Sequence, residues 1–93
     1  MNLRDLAKDQ PCRVRLPGIC NGRTDTTVLA HIKNGWCGSI KPPDIVGVFA
    51  CFDCHNEMDR RTRKISVQEV DAAVFRALCE QLVYYAKQGI VEW

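Results

Sequence analysis

Apolar side chains recur at helical intervals over the last third of the chain. After Ser66 they are spaced three or four residues apart, as on one face of an α-helix: Val67, Val70, Ala73, Val74, Ala77, Leu78, Leu82 and Tyr85. Ser66 and Glu69 have the spacing of a capping box, and Gly89 is typical of the position beyond a helix C-terminus. The pattern predicts an amphipathic helix over 66–88, whose apolar stripe contacts the core or a second copy of the chain.

Residues 11–64 carry only short apolar runs and are rich in cysteine, glycine and proline. Three of these runs alternate or are rich in β-branched side chains, and so predict strands: 12–16, 26–32 and 45–50. Pro17 and Gly18 mark a turn between the first two. At the N-terminus, residues 1–10 predict a short helical lead-in that Pro11 ends.

The composition is that of a folded globular chain. Its 93 residues are 46% hydrophobic and 26% charged, which argues against disorder and allows one domain. The longest nearly unbroken apolar run, Ile45 to Phe52, has eight residues, against the roughly 20 that a bilayer span needs. The N-terminus lacks the apolar segment of a signal peptide, so we expect a cytoplasmic protein.

The six cysteines are interpreted as metal ligands or reactive thiols, because a reducing cytoplasm disfavours disulfides. Cys51 and Cys54 form a CxxC pair, in which a tight turn brings two sulfurs to one side of a tetrahedral zinc ion. A structural zinc needs four ligands. Cys12 and Cys20 are the natural second pair, since a hairpin at the proline–glycine turn would bring them together. A redox dithiol and unrelated buried cysteines are the alternatives for the CxxC pair.

The two remaining cysteines are expected to have no part in the metal site. Cys79 falls on the apolar stripe of the predicted helix, between Leu78 and Leu82, and is predicted to be a small core residue. Cys37 lies in a glycine-rich loop, where we expect a free thiol, and a spare metal ligand is the alternative.

Both histidines of the chain are candidates for chemistry. In a helix that starts near the CxxC pair, His55 and Asp59 share one face and can bind a second, harder divalent metal ion. The alternative for His55 is that it caps the zinc turn or binds the zinc. His31 ends a predicted strand, and an imidazole can accept a proton from water at neutral pH. Its alternative role is that of a hydrogen-bonded core or surface residue.

Positive charge is concentrated in the half of the chain that carries the cysteines and histidines. Residues 10–64 contain nine Lys or Arg against five Asp or Glu, whereas residues 65–93 contain two against four. The densest run provides four cations: Arg60, Arg61, Arg63 and Lys64. Such a run beside a metal site favours a polyanionic partner such as nucleic acid, and a solvated surface run is the alternative.

The order of these residues resembles a known family. A strand that ends in His31 is followed by a loop, a strand and Cys51-x-x-Cys54-His55-x-x-x-Asp59. This order resembles the His-Asn-His (HNH) nucleases, which have a ββα-metal finger, and more narrowly the small YbcO-like family of phages and prophages, nucleases of the recombination region. Four stretches carry the resemblance: 12–22, 28–32, 41–44 and 50–59.

The resemblance implies an α+β fold, a zinc-stabilised, treble-clef-like ββα-metal finger over 11–64 followed by the helix at 66–88, in a single domain 1–93. It implies a metal-dependent endonuclease that hydrolyses phosphodiester bonds of DNA with weak sequence specificity. His31 would be the general base, while His55 and Asp59 would bind a catalytic divalent ion such as Mg²⁺. The implied ligands of a structural Zn²⁺ are the four cysteines Cys12, Cys20, Cys51 and Cys54.

The chain departs from the family pattern at two positions. The residue before the base is often Asp or His in such nucleases, and here it is Ala30. They also usually carry an Asn ahead of the CxxC pair, and none lies between Gly35 and Cys54. Asp44 is the polar candidate in that stretch, either to brace His31 or to complete the metal shell.

Two other classes of function compete with the nuclease. One is a non-catalytic, zinc-stabilised module that binds nucleic acid or protein, and the other is a redox protein that uses the CxxC pair. A homodimer is a further hypothesis, with the stripe of the 66–88 helix and the tail 90–93 as its contact.

Overall fold

The structure, a computed structural model, describes residues 2–33 and 42–90. Five elements follow one another along the chain: α1 (Leu3–Leu6), β1 (Val28–His31), β2 (Gly47–Ala50), α2 (Phe52–Met58) and α3 (Val67–Lys87). This is a small α+β fold with a two-stranded sheet and a long C-terminal helix. The predicted free thiol Cys37 and the end of the predicted dimer tail, 91–93, lie outside the described residues.

The sheet is an antiparallel pair, with Val28 opposite Ala50 and His31 opposite Gly47. All four residues of β2 are buried, and in β1 only Val28 is exposed. The strands predicted at 26–32 and 45–50 are confirmed in shorter form. Because α2 begins directly after β2, Val28 lies beside the start of that helix and His31 lies at the other end of the strand pair, opposite Gly47.

The strand predicted at 12–16 is wrong. Arg15 has a φ of +46°, which a regular strand does not allow. The backbone groups of this segment bond elsewhere: the Arg13 N–H donates to Phe49 O at 2.8 Å, and the Arg76 guanidinium donates to the carbonyl oxygens of Arg13 and Val14 at 3.1 and 2.6 Å. The bond from Arg13 to β2 does not extend into a strand pair, so the alternation in sequence reflects which side chains are buried.

A tight turn, not a hairpin, joins the two cysteines of this loop. The backbone N–H groups of Ile19 and Cys20 both donate to Leu16 O, at 3.1 and 2.9 Å. Gly18 sits at φ +72°, a conformation that glycine adopts without the steric cost of a side chain. The turn reverses the chain within a few residues and returns Cys20 towards Cys12.

The long helix α3 has the predicted ends. Ser66 is its N-cap and its Oγ accepts a hydrogen bond from the Glu69 N–H at 3.1 Å. Beyond the C-terminus, Gly89 takes up φ +74°, as expected for a residue that ends a helix. No helix within residues 2–33 and 42–90 combines the length and apolar character that a membrane crossing requires.

The buried face of α3 differs from the predicted stripe at several positions. Val67 and Leu82 are 47% and 41% exposed, whereas Gln81 is fully buried. Cys79 is exposed, so its prediction as a core residue is wrong. Five residues make up the buried face: Val70, Val74, Ala77, Gln81 and Tyr85. The Gln81 side chain accepts from the Phe49 N–H at 3.1 Å, so a polar residue satisfies a buried backbone donor of β2.

Two apolar clusters flank the sheet. One joins the cysteine loop to the first half of α3 and includes Val14, Val48 and Val74. The other joins α1 to the second half of α3: Ala7 packs with Leu29, Phe49 and Tyr85, with Leu3 and Leu6 against them. The short α1 is therefore fixed beside β1 by buried contacts.

Candidate metal sites and active groove

Four cysteines from distant parts of the chain meet at one point. The sulfurs of Cys12, Cys20, Cys51 and Cys54 all lie within 4.8 Å of one another, and the Cys20 and Cys51 sulfurs are 3.9 Å apart. A tetrahedral zinc with Zn–S bonds of about 2.3 Å holds its sulfurs about 3.8 Å apart. The spacing and the all-thiol donor set therefore fit a structural zinc ion, and this cluster can hold one.

Backbone N–H groups point at two of these sulfurs. Cys51 is the N-cap of α2, and its Sγ accepts from the Cys54 N–H at 3.5 Å. The Cys12 Sγ accepts from the Arg15 N–H at 3.4 Å. Hydrogen bonds to the charged form favour a thiolate, which is the form that binds metal.

The thiols influence one another strongly. A hydrogen bond from Cys54 lowers the pKa of Cys12 to about 4. The same contact, together with burial, raises the pKa of Cys54, and burial raises the pKa of Cys20. Several thiolates this close repel one another unless a cation lies between them, so full deprotonation of the cluster requires a bound metal ion.

The other half of α2 carries a histidine–carboxylate pair. His55 Nε2 and Asp59 Oδ2 lie 3.3 Å apart on one face of the helix, as the helical spacing predicts. Burial lowers the pKa of His55, the nearby charges of Arg61 and Lys33 lower it further, and Asp59 opposes them. A neutral imidazole beside a carboxylate is a ligand pair that many divalent ions accept.

The His31 side chain contacts a carboxylate from the segment that precedes β2. His31 Nε2 lies 2.8 Å from Asp44 Oδ1, and the Arg4 Nε is 3.5 Å from the same oxygen. The hydrogen bond with His31 is the main cause that lowers the pKa of Asp44, so the carboxylate is ionised. Because an ionised carboxylate only accepts hydrogen bonds, we assign the proton of the neutral His31 ring to Nε2, which leaves the lone pair on Nδ1.

His31 and the His55–Asp59 pair open onto one groove. His31, Lys33, Asp59 and Arg61 line both of two adjoining cavities, of about 430 and 360 Å³. His55 lines the larger one. The shared walls make the two cavities one groove that continues on both sides of His31 and Asp59.

The four predicted nucleic-acid contacts have different surroundings. Arg61 lines the groove, and Arg63 and Lys64 are exposed. The Arg60 guanidinium donates to Ile65 O at 3.1 Å and lies 3.5 Å from the Glu57 carboxylate. Arg60 therefore stabilises its own loop, while Arg61 is the cation directed into the groove.

Glu57 is a buried anchor that the sequence analysis missed. Its carboxylate accepts from the Lys64 and Ile65 N–H groups at 2.8 and 3.1 Å, and from the Thr62 hydroxyl. The Thr62 contact is the main cause that lowers the pKa of Glu57. The sequence holds no signal for this role, because a glutamate late in a short helix is normally exposed.

Comparison with known proteins decides the family. A family model described as "Putative nuclease YbcO" matches residues 1–89. The chain belongs to the YbcO family. Two YbcO relatives carry the same description, one from Escherichia coli K12 and one from Enterobacteria phage 82; each is 39% identical over 93 residues, covering 98% of this chain and 97% of the relative. The predicted resemblance to YbcO-like proteins is thereby confirmed.

A solved structure has the same fold as this YbcO family member. It is described as "a putative bacteriophage protein" from Escherichia coli K-12, is 35% identical, and superposes with a TM-score of 0.81 over 95% of this chain and all of that one. The similarity therefore extends over nearly the whole chain.

Proposed function

We propose that this YbcO family member is a metal-dependent endonuclease of the HNH type that hydrolyses phosphodiester bonds of DNA in phage recombination. The observation that carries the proposal is the meeting of His31 with the His55–Asp59 pair at one groove. The order β1, β2, α2, with the base on the first strand and the ligand pair on the helix, is what a ββα-metal finger requires. The cations that line the groove suit a phosphate backbone.

In this proposal the two candidate sites have separate roles. The four cysteines hold a structural Zn²⁺, which ties the 12–20 loop to the start of α2. His55 and Asp59 hold a divalent ion such as Mg²⁺. When bound, that ion supplies Lewis-acid stabilisation of the negative charge that develops on the phosphate.

The protein's own residues then handle the proton and the phosphate. His31 Nδ1 accepts a proton from the attacking water, and the ionised Asp44 stabilises the imidazolium through Nε2–H. Lys33 and Arg61 bind the phosphate oxygens that flank the scissile bond. Because these contacts read the backbone and no base edges, cleavage is weakly sequence-specific and sensitive to salt.

The two departures from the HNH pattern have physical counterparts here. Asp44, the polar residue in the stretch that lacks the Asn, braces His31 through the contact at 2.8 Å, and its charge adds stabilisation of a protonated His31. Ala30 is fully buried, so the position before the base belongs to the core and supplies no ligand. The missing ligand at position 30 favours the second candidate function, a zinc-stabilised nucleic-acid-binding module without catalysis.

The proposal is tested by nicking of supercoiled plasmid. Untagged wild-type protein with Mg²⁺ or Mn²⁺ is compared with His31→Ala, and metal content per chain is measured by mass spectrometry. We expect one tightly held zinc and a fall in nicking of about 10²–10⁴-fold for His31→Ala, the usual contribution of a general base. Plasmid binding without nicking by the wild-type protein would instead support the binding module.

The homodimer stays a prediction. Within the predicted stripe, Val70, Val74 and Tyr85 are buried in the chain, whereas Leu82 is 41% exposed. Leu82 and the 69% exposed Phe75 are the apolar side chains of α3 that we expect a second copy to contact.

A further inference from the structure

The N-terminal helix α1 forms one wall of the groove. Arg4 and Lys8 line the 430 Å³ cavity together with His31 and Asp59. Buried contacts fix their backbone, because Ala7, with no exposed surface, packs into the cluster of Leu29, Phe49 and Tyr85. The Asn2 side chain caps the helix by accepting from the Arg4 N–H at 2.9 Å. The two cations are thus held beside the groove by the fold.

The charge on this side of the groove is strongly positive. Four permanent cations line the larger cavity: Arg4, Lys8, Lys33 and Arg61. Among the described residues that line it, Asp59 is the sole carboxylate. A concave surface with this excess of positive charge attracts a polyanion and raises its local concentration.

The other side of the groove differs in chemistry. The 360 Å³ cavity shares Lys33 and Arg61 with the larger one, adds apolar walls such as Val74, and carries a second carboxylate, Asp71, besides Asp59. Among the described residues that line it, the two carboxylates balance the two permanent cations. A phosphodiester backbone therefore gains no net counter-charge on this side, and the apolar walls cost it hydration. The backbone of a bound strand is therefore directed towards α1.

Arg4 and Lys8 stand at different distances from the base. The Arg4 Nε lies 3.5 Å from the Asp44 oxygen that also contacts His31, so Arg4 is next to the reacting centre. Lys8 has a different carboxylate partner. It pairs with Asp5 at 3.3 Å in an exposed contact, which contributes little and is readily exchanged for a phosphate.

We propose that Arg4 and Lys8 form a phosphate subsite, which binds the sugar–phosphate backbone next to the phosphodiester placed at His31. The inference rests on the proposed nuclease function, and it adds α1 to the substrate-binding surface. The ligand is a nucleic-acid strand that extends beyond the two nucleotides joined by the scissile phosphodiester. The phosphates next to that bond lie on the α1 side of the groove.

The test is a binding titration without cleavage. Zinc-loaded full-length protein, with no added Mg²⁺, is titrated into fluorescein-labelled single-stranded and duplex oligonucleotides, and anisotropy is measured over a range of salt concentrations. We expect Lys8→Ala to raise Kd about threefold to tenfold and to reduce the slope of log Kd against log salt by about 0.9 on duplex or 0.7 on single strands. Arg4→Lys keeps the charge and should stay within about twofold of wild type.

Arg23→Ala is the matched control. Arg23 is exposed, pairs with Asp25 at 2.6 Å, and lines neither cavity, so its loss removes one cation away from the groove. Equal Kd and salt slope for Lys8→Ala and Arg23→Ala would overturn the subsite and leave the nuclease proposal intact. A wild-type protein that binds neither oligonucleotide would overturn both.

Arg4→Ala separates binding from positioning. If Arg4 binds phosphate, its removal raises Kd on every oligonucleotide. Unchanged Kd with slower plasmid nicking would show that Arg4 acts only through Asp44 on His31, which contradicts the subsite. Circular dichroism of each variant checks that α1 remains folded.

Discussion

The cysteine cluster and the groove are two sites of opposite character on the same short helix. The cluster is closed: Cys51 and Cys54 are fully buried, and its four thiols can fill all four positions of a tetrahedral metal ion. The groove is open: its larger cavity is lined by two histidines, by the carboxylate of Asp59 and by several Lys and Arg side chains. Structural metal sites are saturated by the protein, whereas catalytic sites keep positions for water and substrate. The contrast supports separate roles for the two.

The shared helix makes the sites depend on one another. With seven residues, α2 is too short to be stable in isolation. Its start is held by the cysteine cluster and its end by the contacts of Glu57 with the following loop. His55 lies between these two anchors and Asp59 lies just after the second, so the geometry of the His55–Asp59 pair depends on both.

Breaking the closed site should have the largest effect. Cys51→Ser removes one of the four proposed zinc ligands and the N-cap sulfur of α2. A structural zinc contributes about 10–16 kcal/mol of apparent binding free energy in small domains. We expect loss of most helical signal by circular dichroism and of the bound zinc.

The matched control for this prediction is Cys79→Ser. Cys79 is an exposed thiol on α3, so its variant should keep the wild-type melting temperature and zinc content. A Cys51→Ser protein as stable as Cys79→Ser would mean that the cluster holds no structural metal.

Weakening the open site should lower activity and leave the fold unchanged. Asp44→Asn keeps a hydrogen-bond acceptor for His31 but removes the charge that stabilises its protonated form. We expect kcat for plasmid nicking to fall roughly tenfold to a hundredfold, with KM for DNA and the melting temperature close to wild type. Asp25→Asn removes an exposed carboxylate elsewhere and should leave kcat unchanged. A raised KM with unchanged kcat would place Asp44 in substrate binding.

Loosening the second anchor should have the smallest effect and a defined pH dependence. Because the folded-state pKa of Glu57 lies below its ordinary value of 4.5, its ionised form stabilises the fold above about pH 4.5 and loses that effect as pH falls through the lower folded value. Glu57→Gln should melt a few degrees lower at pH 7 and show a shallower loss of stability between pH 5 and 3, measured by thermal unfolding. Identical acid profiles for both proteins would argue that the buried carboxylate contributes nothing to folding.

The spacing of residues that are close in sequence predicts much of the fold and of both candidate sites. The capping residue Ser66, the helical periodicity after it and Gly89 predict α3 to within a residue at each end. The CxxC pair followed by His55 and Asp59 predicts a helix with ligands one turn apart, because residues four positions apart share a helical face. These features depend on neighbours in sequence, so the sequence alone determines them.

Contacts between distant residues decided the rest. The 12–16 run alternates like a strand, yet two of its carbonyl groups accept hydrogen bonds from Arg76 on α3. Alternating burial along a segment does not determine which groups its backbone bonds to. Gln81 and Glu57 are buried because backbone donors from other elements need acceptors there. Arg4 and Lys8 reach the groove only because α1 packs on β1 and α3. Periodicity along a chain reveals which face is buried, whereas the tertiary structure decides what that face meets.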